Sequence, residues 1–238
     1  MRAENEDWES ELWSFVHAGD GKDCPGVVSC QSEKNGSGCF NNEIQRAKNR
    51  AMHLFLDSDE VDLSRAWEIP RVTVCSHREK IFELVRKLSR KYRNKEWNGL
   101  LPVPDNLIIS SPDGVPIEVR KVALKANHGA VWRMDDAWLI HLNSASSPAR
   151  QRLTLYHEVF HILAHSKGDT SFKHSENHDV YFFEFLADHF AADILTPKDI
   201  VRARWQEVQD VIKMAQLFSI PAPIMYGIIR NMGLLPTK

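Results

Sequence analysis

The chain has 238 residues, a formal net charge of −2, 43% apolar and 26% charged side chains. That length gives room for one large domain, or one of about 140 residues plus a smaller module, and the apolar fraction is enough for a true core. Near-neutrality argues against a broad grip on nucleic acid, and no apolar run reaches the length that spans a bilayer.

The opening Met1-Arg2-Ala3-Glu4-Asn5-Glu6-Asp7 is acidic and lacks the basic-then-apolar profile of a secretory signal. A cytoplasmic location is therefore expected, where Cys24, Cys30, Cys39 and Cys75 are better read as free thiols or metal ligands than as a disulfide framework. Three regions are expected: a Cys-containing module over 1–45, a helical region over 46–95 and a compact domain over 96–238. In the first, His17, Cys24, Cys30 and Cys39 offer four tetrahedral ligands for a structural metal, although their spacing matches no common zinc finger. In the second, two helical pieces are expected between about 43 and 94. Ile81, Leu84, Val85 and Leu88 recur at helical spacing opposite a Lys/Arg-rich face, which reads as a solvated surface before it reads as a binding face.

The third region begins with three strands, over 116–122, 129–134 and 137–142, the last two joined by a hairpin turn at Asp135-Asp136. Ser147-Pro148 is an N-cap and first-turn pair, so a helix should begin there and stop near Lys167-Gly168. A strongly apolar helix is expected from about Asn177 to Leu195, closed by Pro197, followed by shorter helices around 207–218 and 222–232. The segment 208–233 has the cadence of a helix-turn-helix, with Ala215, Phe218, Ile220, Ile224, Ile228 and Leu234 as a small core. Pro221-Ala222-Pro223-Ile224 offers no polar lead for reading DNA, so direct nucleic-acid binding is not expected.

Within the first long helix, His157-Glu158-Val159-Phe160-His161 places two imidazoles about 40° apart on one face, where they can meet one ion. Zinc is the leading metal for nitrogen ligands, with manganese as the alternative. Glu158 can take a proton from water at the metal without being a ligand. The second helix offers Glu184 and Asp188 one turn apart among Phe182, Phe183, Phe185, Phe190, Ile194 and Leu195. Two acids in so apolar a helix would be costly to bury without a counter-charge. Glu184 is therefore expected as the third ligand, and Asp188 as the acceptor of the outer N–H of a liganding His. His165 is a rival ligand, but three ligands at successive i,i+4 steps splay around one straight helix. His165, His174 and His178 are read as surface or rim residues, and Glu176 lies in a polar loop. Tyr156, Tyr181 or a His of the 165–178 loop are candidates for stabilising an oxyanion.

These residues resemble the ImmA/IrrE family of metallopeptidases. The resemblance is carried by Arg150 to His161, by Glu184 to Pro197, by Met214 to Pro221 and by Met232-Gly233-Leu234-Leu235. It covers roughly residues 95–238 and implies a small sheet packed on helices, with zinc held by His157, His161 and Glu184 and with Glu158 as general base. It further implies a site-specific protease that cuts helix-turn-helix repressors. Some family members are found with toxin–antitoxin-like partners. Tyr156 and Phe160 stand where many relatives carry Ala and Gly, which implies a narrowed or reshaped substrate groove. The expected architecture is thus α+β: a small, mostly antiparallel sheet on a zinc-binding helix pair (zincin-like), with added N-terminal helices and a helix-turn-helix-like C-terminal segment. The expected function is zinc-dependent endopeptidase, acting on a protein such as a repressor. The alternative is a non-proteolytic zinc-containing regulator or toxin–antitoxin-type module that binds a transcription factor.

Overall fold

The computed structural model describes residues 7–18, 76–125, 127–167 and 180–235. Cys24, Cys30, Cys39 and Cys75, the first helical piece expected after residue 43, and Glu176, His174 and His178 lie outside the described residues, as do the side chains of His17 and Tyr181. Among the described residues the chain is α+β, with a three-stranded mixed sheet and seven helices. These are α1 (Asp7–Ala18), α2 (Ser76–Glu96), β1 (Ile117–Val122), β2 (Gly129–Arg133), β3 (Trp138–Asn143), α3 (Pro148–Lys167), α4 (Val180–Leu195), α5 (Lys198–Val208), α6 (Val211–Phe218) and α7 (Ala222–Asn231).

The β2–β3 hairpin forms as its alternation predicts, with Arg133 opposite Trp138 and the Met134 N–H donating to the Ala137 carbonyl at 2.8 Å. The sheet order is β1-β3-β2, and β1 runs parallel to β3. The sheet is therefore mixed, a correction to the mostly antiparallel expectation. The strands themselves mark which is central and which is at the edge. Trp138, Ile140 and Leu142 of β3 are buried at alternate positions, which suits the centre, whereas β1 carries Glu118, Arg120 and Lys121 exposed, which suits an edge. The Asn143 side chain holds the β1–β2 connection, donating to the carbonyls of Leu124 and Asn127 at 3.0 Å each.

α3 begins where Ser147-Pro148 predicts, with the Arg150 N–H reaching the Ser147 hydroxyl at 3.3 Å. It is buried almost all round, polar Arg150, Gln151, Arg152, Thr154 and Glu158 included. Leu153, Leu155, Tyr156, Val159, Phe160, Ile162, Leu163 and Ala164 are all buried. The sheet packs on one side of it and α4 on another. Arg152 crosses to the C-terminal part of the chain: it donates to the carbonyls of Phe218 (2.9 Å), Ser219 (3.1 Å) and Val103 and pairs with Asp105 at 2.5 Å. A guanidinium on the last carbonyls of α6 also complements that helix end electrostatically.

α5 was not anticipated. Ile200, Val201, Trp205 and Val208 do recur at helical spacing, but only Val201 is fully buried and the other three pack partly exposed against the core. α6 and α7 follow close to the expected positions, α6 capped by Asp210, whose side chain accepts from the Lys213 N–H at 3.0 Å. The chain bends by 110° between them, and no single described helix is long and apolar enough to cross a membrane.

α1 and α2 pack behind this unit. Ile81, Leu84, Val85 and Leu88 are buried, the stripe that their spacing predicts. Part of the basic face of α2 is taken up by ion pairs: Lys80 with Glu11, Lys91 with Glu9, and Arg86 and Arg90 with Glu83. Buried Ser89 and Arg93 tie α2 to α4. Both donate to Asp193, Ser89 to its carboxylate and Arg93 to its carbonyl and, at 3.5 Å, its carboxylate.

Candidate metal centre

The i,i+4 spacing on α3 turns His157 and His161 toward α4, where Glu184 and Asp188 stand one turn apart. Aromatic packing fixes the helix pair: Phe160 lies 5.7 Å from Phe183 and 5.5 Å from Phe190, and His161 lies 4.9 Å from Phe183, between ring centroids. His157 Nε2 is 3.1 Å from His161 Nε2 and 3.2 Å from Glu184 Oε2, and His161 Nε2 is 3.6 Å from Glu184 Oε1. One ligand atom from each of His157, His161 and Glu184 lies within 4.8 Å of the others. On the outer side of His157, Nδ1 is 2.8 Å from Asp188 Oδ1.

These distances show which charge the cluster demands. An ionised Asp188 only accepts, so His157 donates to it from Nδ1. A neutral His157 then turns a bare Nε2 toward the Glu184 carboxylate and toward the Nε2 of His161. Acceptors this close need a positive charge between them, either a proton or a metal ion. Without the ion the proton is held tightly. Burial lowers the His157 pKa, but hydrogen bonds to Asp188 and Glu184 and the charges of Asp188 and Glu158 outweigh it and raise it to about 10. His161 is pushed down to about 4, by burial and then by the neighbouring His157 charge, against the pull of Glu184 and Asp188. Two imidazole nitrogens and one carboxylate oxygen form a donor set that fits zinc and leaves a fourth position open.

Glu158 is buried beside the cluster. Burial pushes its carboxyl up to about 7, with His157 opposing the rise and Glu184 adding to it. A group poised near neutrality can both take and return a proton.

Three expectations need correction. Glu184 and Asp188 are not buried acids: their side chains are 39% and 66% exposed, and the buried face of α4 is formed by Leu186, Ala187, Phe190, Ala191 and Ile194. The case for a cation therefore rests on converging acceptors and not on the cost of burying carboxylates. Tyr156 is fully buried and its hydroxyl donates to the Pro104 carbonyl at 2.5 Å, so it is committed to the core and is no oxyanion donor. Phe160 is equally buried and packs on Trp13 of α1 at 5.9 Å, so neither bulky residue shapes a substrate groove. His165 is absent from the converging group and packs edge-on against Trp138 at 5.0 Å. The sequence reading also overlooked Gly129 of β2, whose backbone lies directly against Glu158. A glycine opening a strand pattern was the available signal.

In this α+β unit a small sheet lies beside a helix pair that brings two imidazoles and a carboxylate to one point, a group that could hold a metal ion. Residues 113–225 match the family model of the IrrE N-terminal-like domain, a peptidase family. Over this segment the chain matches that family, in agreement with the resemblance to the ImmA/IrrE family, and the match supports a peptidase. The matched segment holds the sheet, α3, α4, α5, α6 and the start of α7, while α1 and α2 lie outside it. No curated protein matches the chain.

Proposed function

We propose that the chain is a zinc-dependent endopeptidase in which His157, His161 and Glu184 hold the metal and Glu158 is the general base. The observation that carries this reading is the convergence of those three ligand atoms within 4.8 Å, beside a buried carboxylate of raised pKa. When bound, zinc supplies Lewis acidity to a scissile carbonyl and makes a nearby water more acidic. Asp188 keeps the His157 proton on Nδ1, which leaves Nε2 free to face the centre. Glu158 collects the proton of the attacking water and returns it to the leaving amine.

The substrate on this reading is a protein, and the ImmA/IrrE resemblance points to a helix-turn-helix repressor. The peptidase unit spans 96–238, residues 1–95 form an accessory region, and the setting is cytoplasmic. Co-expression with a helix-turn-helix repressor encoded beside this chain, followed by mass analysis of fragments, tests the proposal. Discrete fragments that vanish when a chelator is added are the expected result. An intact repressor whose binding survives Glu158→Gln but fails in His157→Ala points instead to the non-proteolytic regulator.

A further inference from the structure

The edge strand β2 meets α3 at a point with no spare room. A Cβ on residue 129 would stand 2.4 Å from Thr154 Cγ2, 3.0 Å from Glu158 Oε1 and 3.3 Å from the His141 carbonyl oxygen. The backbone there has little freedom to retreat. Gly129 is in register with Leu142 of β3, and the Asn143 N–H donates to the His128 carbonyl at 2.8 Å. Thr154, β-branched and on a helix, has few χ1 rotamers open to it. The end of the Glu158 side chain is the most yielding of the three neighbours, so a methyl group at 129 would shift that carboxylate by a few tenths of an ångström.

We propose that Gly129 is a positioning residue for the general base: its bare Cα lets β2 lie flush against α3 and forms the wall that fixes the Glu158 carboxylate. The role rests on the reading of Glu158 as general base, but it concerns this chain's own geometry and can be tested without hydrolysis. A glycine kept only for packing would answer to Thr154, the nearer neighbour. A glycine that positions the base would answer to Glu158 as well.

The test uses the full chain, with Zn2+ and Co2+ as probes. Gly129→Ala alone should lower the melting temperature. Adding Thr154→Ser removes the nearer methyl and should bring the melting temperature back to within about 3 °C of the Thr154→Ser variant. The double variant should still bind one Zn2+ per chain. Its Co2+ form should show a visible spectrum displaced from wild type in the same direction as that of Glu158→Ala, because those bands report the groups facing the ion. A double variant with restored melting and a wild-type Co2+ spectrum overturns the proposal, since packing alone would then explain the glycine. If the double variant does not fold, the wild-type protein decides. A nuclear Overhauser contact between Gly129 Hα and Glu158 Hγ is expected, and its absence overturns the proposal. Cleavage that persists in Glu158→Gln would instead defeat the general-base reading while leaving these readouts unchanged.

Discussion

His157 donates from Nδ1 to the Asp188 carboxylate across 2.8 Å, which joins α3 to α4 one turn beyond Glu184. The bond fixes the tautomer and aims Nε2 at the point where His161 and Glu184 converge. Asp188→Ala should weaken zinc binding about tenfold to a hundredfold, with Asp188→Asn falling between it and wild type. Competition against a chromophoric chelator measures this. An unchanged affinity in Asp188→Ala would remove Asp188 from the site.

Phe160 lies between His157 and His161 in sequence, yet it fills the space shared by α1, α3 and α4. Phe160→Ala should destabilise the protein by about 3–5 kcal/mol, the usual cost of emptying a buried aromatic site. Denaturant unfolding reads the loss. A stability change below about 1 kcal/mol would place the ring outside the core and return it to the groove that the sequence first suggested.

Arg93 and Asp193 are both 7% exposed, and their contact ties the accessory helix α2 to the helix that carries Glu184. Arg93→Ala leaves the buried Asp193 carboxylate without its cation and with the Ser89 hydroxyl as its remaining donor, and should cost about 3–5 kcal/mol. Lys91→Ala, which breaks the more exposed pair with Glu9, should cost no more than about 1 kcal/mol. Equal effects from the two substitutions in urea unfolding would contradict the assignment of Arg93 as the buried tie.

The ring of His189 sits 4.9 Å from Phe82, and its Nε2 is buried without a hydrogen-bond partner among the described residues. Burial holds its pKa down to about 4 against the pull of Asp193, with Arg86 and Lys198 adding to the fall and Glu83 opposing it. The unfolded imidazole takes its proton near pH 6.5, whereas the folded one resists until about 4. The stability contribution of neutral His189 is therefore complete above 6.5 and is lost as pH falls from 6.5 toward 4. His189→Phe has no proton to gain there, so its stability relative to wild type should rise on going from pH 8 to pH 5. Urea midpoints of both proteins at the two pH values check this. A constant difference would contradict it.

Much of the centre was legible because it is local. His157 and His161, and likewise Glu184 and Asp188, are i,i+4 pairs on helices whose limits were marked by Ser147-Pro148 and Pro197. What was illegible depends on how distant pieces meet. The parallel pairing of β1 with β3 follows from non-local docking, and only the alternate burial of Trp138, Ile140 and Leu142 hints that β3 is central. The apolar composition of α4 suggested burial all round, yet Phe185 is half exposed while packing on Phe82 of α2, and Asp188 is exposed beside His157. The contact of Gly129 with Glu158 needs the register of a strand against a helix, which no single segment encodes.

The most direct measurement pairs zinc content with fragment mass for wild type and Glu158→Gln, each co-expressed with a candidate helix-turn-helix repressor. Wild type should carry one zinc and produce discrete repressor fragments. Glu158→Gln should carry the same zinc and leave the repressor intact, since the ligands His157, His161 and Glu184 are untouched. Repressor fragments of the same masses and yield from the Glu158→Gln protein would contradict the proposed mechanism.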